Sequence, residues 1–194
     1  MTMQKTKRKP FNLILLGDPA AGKATQVALI VKRYGMFDFD MGHELRRPSV
    51  RKTFDYDRST AKGKLTPTKI VRAIICDKVA RTDPSRGILF DGFPKMAGEA
   101  RLLVAQLQKA GRRDPFVIYL YIPLAESYRR RMRRGRKDDT EEAFKNRMAY
   151  YQKDVARTIA FFKTIYAFKK ISGLGTRRQV AKRIAHEIKK YDLS

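Results

Sequence analysis

The chain has 194 residues, 43% of them hydrophobic, and carries 44 Lys and Arg against 19 Asp and Glu, a formal net charge of +25. That length and apolar content fit one folded domain rather than a disordered chain, while the charge points to polyanions as partners: nucleotides, nucleic acid or anionic membrane. A single cysteine excludes a disulfide framework and a cysteine zinc site, and no apolar run is long enough to span a bilayer.

Met1–Pro10 reads as a mobile basic tail, and with no signal-peptide segment behind it the chain is expected to be soluble and cytoplasmic. Phe11–Leu16 is an apolar run of strand length. Lys23–Arg33 reads as a helix that offers Val27, Leu29, Ile30 and Val31 to the core and stops at Gly35. Met36–Met41 alternates apolar with acidic residues, as a short second strand does. Gly42–Thr60 is polar, rich in Arg and weakly helical, an inserted excursion. After it, Thr66 and Pro67 are of the types that cap and open a helix, here one running to about Ala80. Cys76 lies in its apolar stretch and is expected to be a buried structural thiol.

Gly87–Phe90 is a third buried strand, and Ala97–Ala110 a helix carrying Leu102, Leu103 and Leu107. Phe116–Ile122 is an unbroken apolar strand suited to the centre of a parallel sheet. Leu124–Arg134 is helical. From about Thr140 one long helix is expected, with Phe144, Met148, Tyr151, Val155, Ile159 and Phe162 as a core stripe. Phe168–Ile171 is the last strand, Gly173–Gly175 a turn, and Val180, Ile184 and Ile188 mark a closing helix on which His186 reads as structural. This alternation predicts an α/β fold, an open parallel sheet of about five strands with helices on both faces. Ligands of such sheets bind beyond the carboxyl ends of the strands.

Two motifs sit at such ends. Gly17-Asp18-Pro19-Ala20-Ala21-Gly22-Lys23 has the spacing of a P-loop, whose backbone N–H groups ring phosphates at a helix N-terminus while the lysine reaches the terminal ones. The hydroxyl expected directly after the lysine is replaced by Ala24, and Thr25 follows one residue later. Asp91 directly follows the third strand, where a P-loop protein places an acid near magnesium. Without a ligand, the two would be a Gly-containing turn and a helix-capping aspartate. Arg129–Lys137 holds seven basic residues in nine, and Arg147 lies one helix further on. Such a run asks for an anionic counterpart, either a phosphoryl group in transfer or nucleic acid. With only Tyr128 interleaved, a base-stacking platform is the weaker fit.

Over Phe11–Ile188 the chain resembles the adenylate kinases, or nucleoside-monophosphate kinases, of the P-loop class. Gly17–Gln26 resembles their Gly-x-Pro-Gly-x-Gly-Lys-Gly-Thr-Gln loop, in which the threonine also comes one residue late. Met41–Arg46 resembles Thr-Gly-Asp-x-Leu-Arg, Asp91–Lys95 resembles Asp-Gly-Phe-Pro-Arg, Arg136–Asp139 matches Arg-x-Asp-Asp, and Arg147-Met148 stands for Arg-Leu.

The resemblance implies transfer of the ATP γ-phosphoryl to a nucleoside monophosphate, AMP first and CMP or UMP as alternatives, with Mg2+. Gly17, Ala20, Ala21, Gly22, Lys23, Ala24 and Thr25 would bind ATP, with Arg130 and Gly175 at its base and Arg134 on its phosphates. Thr25 and Asp91 would stand on the metal side, Asp91 through water. Arg136 and Arg147, catalytic with Lys23 and Arg134, would clamp the acceptor phosphate and the moving group. Met41, Arg46, Lys64, Leu65, Thr66, Gly92, Phe93, Pro94, Lys95 and Glu99 complete the acceptor side. It also implies a single monomeric domain over 11–194, with an acceptor-binding insertion at about 42–69 and a residual lid at about 133–140.

Four acceptor positions depart from the family: Met41 for threonine, His43 for aspartate, Lys95 for arginine and Glu99 for glutamine. They leave open a second reading, a degenerate kinase fold that binds ATP or RNA through its basic surface without efficient catalysis.

Overall fold

The structure, a computed structural model, describes residues 9–53, 68–135 and 141–193. Its chain order is β1 Asn12–Gly17, α1 Lys23–Tyr34, β2 Phe37–Asp40, α2 Met41–Arg46, α3 Pro48–Arg51, α4 Thr68–Arg81, β3 Ile88–Asp91, α5 Ala97–Lys109, β4 Pro115–Tyr121, α6 Leu124–Arg134, α7 Glu141–Tyr150, α8 Ala156–Ile165, β5 Phe168–Ser172 and α9 Arg177–Leu193. Five parallel strands form one sheet in the order β2-β3-β1-β4-β5. β1, rather than β4, takes the centre. Parallel strands force every connection across a face, so both faces are covered by helices and the inner strands are mostly apolar, with Asn12 and Asp91 at strand ends.

The period of two in β1 divides the core. Ile14 and Leu16 point to the face covered by α4, α5 and α8, where Ile75, Leu103 and Phe162 are fully buried. Leu13 and Leu15 point to the opposite face, against Val27 and Ile30 of α1 and Val180, Ile184 and Ile188 of α9. α1 ends as expected, with Gly35 in the left-handed region (φ 63°) donating its N–H to the Val31 carbonyl.

Several side chains differ from the sequence reading. Leu29 is 43% exposed, because α1 turns only one stripe to the sheet. Cys76 is half-buried and His186 is exposed. Met41 leaves β2 and opens α2, whose first turn is capped by the Asp40 carboxylate accepting from the His43 N–H at 3.1 Å. The long helix after Thr140 is interrupted: between α7 and α8 lies a π-helical turn, Tyr151–Val155. An extra residue in the turn shifts the helical phase, and such turns recur at functional sites. Phe144, Val155 and Phe162 are buried as the stripe predicts, but Tyr151 is only half-buried.

Among the described residues no helix is long and apolar enough to cross a membrane. Residues 1–8 of the basic tail, 54–67 of the expected insertion (Lys64, Leu65, Thr66 and Pro67 with them) and 136–140 of the expected lid lie outside the described residues.

Burial decides the cost of truncation. Phe162→Ala, in the packed face under α8, is expected to lower unfolding free energy by about 3–5 kcal/mol, and Leu29→Ala by less than about 0.5. Urea titrations of the two variants check the contrast.

Candidate active site

The carboxyl end of β1 can approach β4 closely only because it ends in glycine. A Cβ on Gly17 would fall 2.5 Å from the Leu120 carbonyl oxygen and 2.9 Å from its Cβ. From there the loop is pinned from β4 and α6. The Asp18 N–H donates to the Leu120 carbonyl at 2.9 Å. The Asp18 carboxylate accepts from the Tyr119 hydroxyl through Oδ1 and from the Ile122 N–H at 2.8 Å through Oδ2. Ser127 Oγ, on α6, donates to the Pro19 carbonyl at 2.6 Å. Burial, then the bond to Asp18, raises the Tyr119 hydroxyl above its ordinary pKa and keeps it a donor.

So anchored, the loop passes through two left-handed residues, Ala20 (φ 60°) and Gly22 (φ 90°), before α1 begins. The methyl of Ala20 makes its turn costly, by about 1 kcal/mol. Gly22 caps α1 without a side-chain hydrogen bond, and no acid stands in the first turn. The first intrahelical bond of the loop–helix junction is Gln26 N–H to Gly22 carbonyl, 3.2 Å. The N–H groups of the first turn of α1 find no acceptor within the helix, as at any helix start, and Lys23, Ala24 and Thr25, which carry them, line the cavity described next.

These elements border a cavity of about 640 Å3 at the carboxyl ends of β1 and β3. Ala20, Ala21, Gly22, Lys23, Ala24, Thr25, Asp91, Arg130, Arg134 and Gly175, widely separated in sequence, all line it. Gly17 lies behind, its carbonyl and that of Asp18 accepting from Lys23 Nζ at 2.6 and 3.0 Å. Arg130 and Arg134 stand one turn apart on the same side of α6. Arg130 is held by Glu126 (2.5 Å) and by the Gly173 carbonyl (3.1 Å), which ties α6 to the turn after β5.

Asp91 ends β3, paired in register with Leu15 of β1 and Asp40 of β2. Burial pushes its carboxyl up to about 6, the Asp40 carboxylate adds to the rise, and Lys23 opposes it. Among the described residues no cluster of three His, Cys, Asp or Glu side chains is formed. The cavity does offer two hard oxygen donors, the Thr25 hydroxyl and the Asp91 carboxylate. That set suits an ion such as magnesium, which keeps water and takes its other oxygens from phosphates.

The acceptor-side residues are more scattered. Met41 is buried in the core and Phe93 packs on Phe39, ring centroids 5.7 Å apart. The Phe93–Pro94 peptide is cis, Gly92 donates its N–H to the Leu15 carbonyl, and Lys95 is exposed. Arg46 stands 3.7 Å from Asp40. Glu99 Oε2 accepts from the N–H groups of Lys95 (2.9 Å) and Met96 (3.2 Å), closing the start of α5 as the returning half of a capping box. Glu44, in turn, bridges Arg47 and Lys78, each at 3.0 Å. Arg147 belongs to α7 by its backbone, its side chain being outside the described part. Arg136, Asp138 and Asp139 lie outside it altogether.

Sequence reasoning missed five residues here. Asp18, Tyr119 and Ser127 fix the loop; Arg177 lines the cavity; Tyr151 places its ring centroid 6.0 Å from Lys23 Nζ. The first three act across more than 100 positions of sequence, where no local pattern signals a partner. For Tyr151 the signal existed but was absorbed into an apolar stripe.

The raised Asp91 carboxyl has a stability consequence. The folded chain binds its proton more tightly than the unfolded chain, whose value is 3.8. The associated stability is therefore present below about pH 4 and lost as pH rises through about 6. In the ligand-free chain, Asp91→Asn is expected to add about 1–2 kcal/mol at pH 8 and nothing near pH 4. Thermal unfolding at the two pH values reads it.

The adenylate kinase family model matches residues 15–167. Adenylate kinase of Phocaeicola vulgatus is 31% identical over 175 residues, covering 86% of this chain and 92% of that protein. Adenylate kinase of Leptospira biflexa is 31% identical over 183 residues (91% and 98%), and that of Caulobacter vibrioides 32% over 178 (88% and 93%).

Proposed function

The chain belongs to the adenylate kinase family and is a nucleoside-monophosphate kinase, and we propose that its acceptor is AMP, so that ATP and AMP give two ADP. One observation carries the reading of its chemistry: the open first turn of α1, Lys23, Asp91 and two arginines one turn apart border a single cavity. The printed names of the relatives support the choice of AMP.

In this reading the triphosphate lies on the N–H groups of the loop and of the first turn of α1. Lys23 exchanges the Gly17 and Asp18 carbonyls for β- and γ-phosphate oxygens, an exchange of neutral for charged acceptors that strengthens its bonds. Arg130 lies at the ATP base with Gly175, and Arg134 meets the phosphates. Arg46 holds the acceptor phosphate, with Gly92–Lys95 and Glu99 around its nucleoside. The acceptor phosphate is already an anion, so no general base is required: one of its oxygens attacks the γ phosphorus as the bond to the β-bridging oxygen breaks. Charge spreads over the moving oxygens, and guanidinium groups meet it. Arg136 and Arg147 serve there with Arg134. Thr25 and, through water, Asp91 would hold Mg2+, which when bound offsets charge on the β and γ oxygens. The reaction fits a cytoplasmic monomer.

A coupled assay over AMP, CMP, UMP and GMP tests this. AMP is expected to give the highest kcat/KM, and Lys23→Met to lower it by about 10²-fold or more. Transfer to none of the four would reject the reading, and a preference for CMP or UMP would move the acceptor.

A further inference from the structure

β5 closes one side of the sheet and pairs with β4 alone, so a row of its backbone groups faces outward. Cations flank this row on both sides. Alternation turns Phe168 and Lys170 towards α8, and Lys169 and Ile171 towards α9. On the α8 side, Lys163 Nζ lies 5.1 Å from the Phe168 ring centroid and Lys170 Nζ 4.4 Å from that of Tyr121. On the α9 side, Lys169 stands 3.6 Å from Glu187 and, with Lys190, borders a hollow of about 340 Å3 that Phe116 and Phe168 also line. All four lysines are exposed. Tyr121, in register with Ser172 at the far end of β5, is 36% exposed.

We propose that this edge binds single-stranded nucleic acid, the phosphates lying between the two rows of lysines and a base stacking on the exposed part of Tyr121. Lysines along a groove neutralise consecutive phosphates and release counterions, while aromatic faces take any base. Lysine on an edge strand also discourages pairing with another sheet. That role accounts for Lys169 or Lys170 but not for Lys163 and Lys190, which stand on helices. A bilayer is the poorer match, because Tyr121 is the one exposed aromatic among the described residues of this edge, too little apolar area to enter the acyl region. None of the four lysines lines the nucleotide cavity, so the two sites are separate and the proposal goes beyond the kinase reading.

Fluorescence anisotropy with the full chain and a labelled oligouridylate of about 12 nucleotides, between about 50 and 200 mM salt, tests it. Replacing Lys163, Lys169, Lys170 and Lys190 by Gln is expected to weaken binding about tenfold and to make the log–log salt slope shallower by about 2. Tyr121→Ser is expected to weaken it severalfold with the slope unchanged, since stacking releases no counterions. Kinase turnover and the melting temperature should hold in both variants, and saturating magnesium–ATP should not displace the oligonucleotide. Replacing Lys32, Arg33, Arg72 and Lys109 by Gln is the control. An equal loss in that control, competition by ATP, or a loss of binding to phosphatidylserine vesicles with oligonucleotide binding intact would each overturn the proposal.

Discussion

The approach of β1 to β4 at Gly17 governs the site. A side chain at that position would strike the Leu120 backbone, and the Asp18 carboxylate could then no longer sit between the Tyr119 hydroxyl and the Ile122 N–H. Those bonds fix where the loop leaves the sheet, hence where α1 starts and where its first-turn N–H groups point. Ser127 extends the same bracing to α6, which carries Arg130 and Arg134. The phosphate donors and the arginines are thus referred to one rigid edge of β4. A site placed by a sheet in this way costs little reorganisation when phosphate arrives.

Electrostatically the ligand-free cavity is unbalanced in two senses. Among the described residues, Lys23, Arg130, Arg134 and Arg177 border it against the one carboxylate of Asp91, so it favours a polyanion. Asp91 itself is partly withdrawn from water and crowded by Asp40, which is why its carboxyl is raised to about 6 despite Lys23 and Lys95 nearby. The metal–nucleotide pair proposed above would answer both: phosphates for the cations, the ion for the carboxylate. Lys23, meanwhile, rests on two carbonyls with the Tyr151 ring nearby, already inside the site. The π-helical turn that begins at Tyr151 follows directly on the helix bearing Arg147, so the ring near Lys23 stands at the end of that helix.

Outside the site the charge has a different character. The net +25 is not confined to the nucleotide cavity. At the β5 edge the lysines gather around exposed backbone and aromatic rings, a combination that a merely solvated face does not require.

Much of this was legible in the chain itself. The strand run before Gly17, the spacing to Gly22 and Lys23, Asp91 after an apolar strand and the arginines near Arg134 marked residues that the fold brings to the border of one cavity, because local periodicity and short-range loop chemistry depend on neighbours in sequence. The parallel α/β architecture followed from the alternation of elements. Only the tertiary structure decided that β1 lies at the centre, that Asp18 is anchored by Tyr119, that Glu99 closes the start of α5 and that Tyr151 turns towards Lys23. Each is a contact whose partner is chosen by packing, and a residue's preference for helix or strand carries no record of which distant side chain the folded chain brings against it.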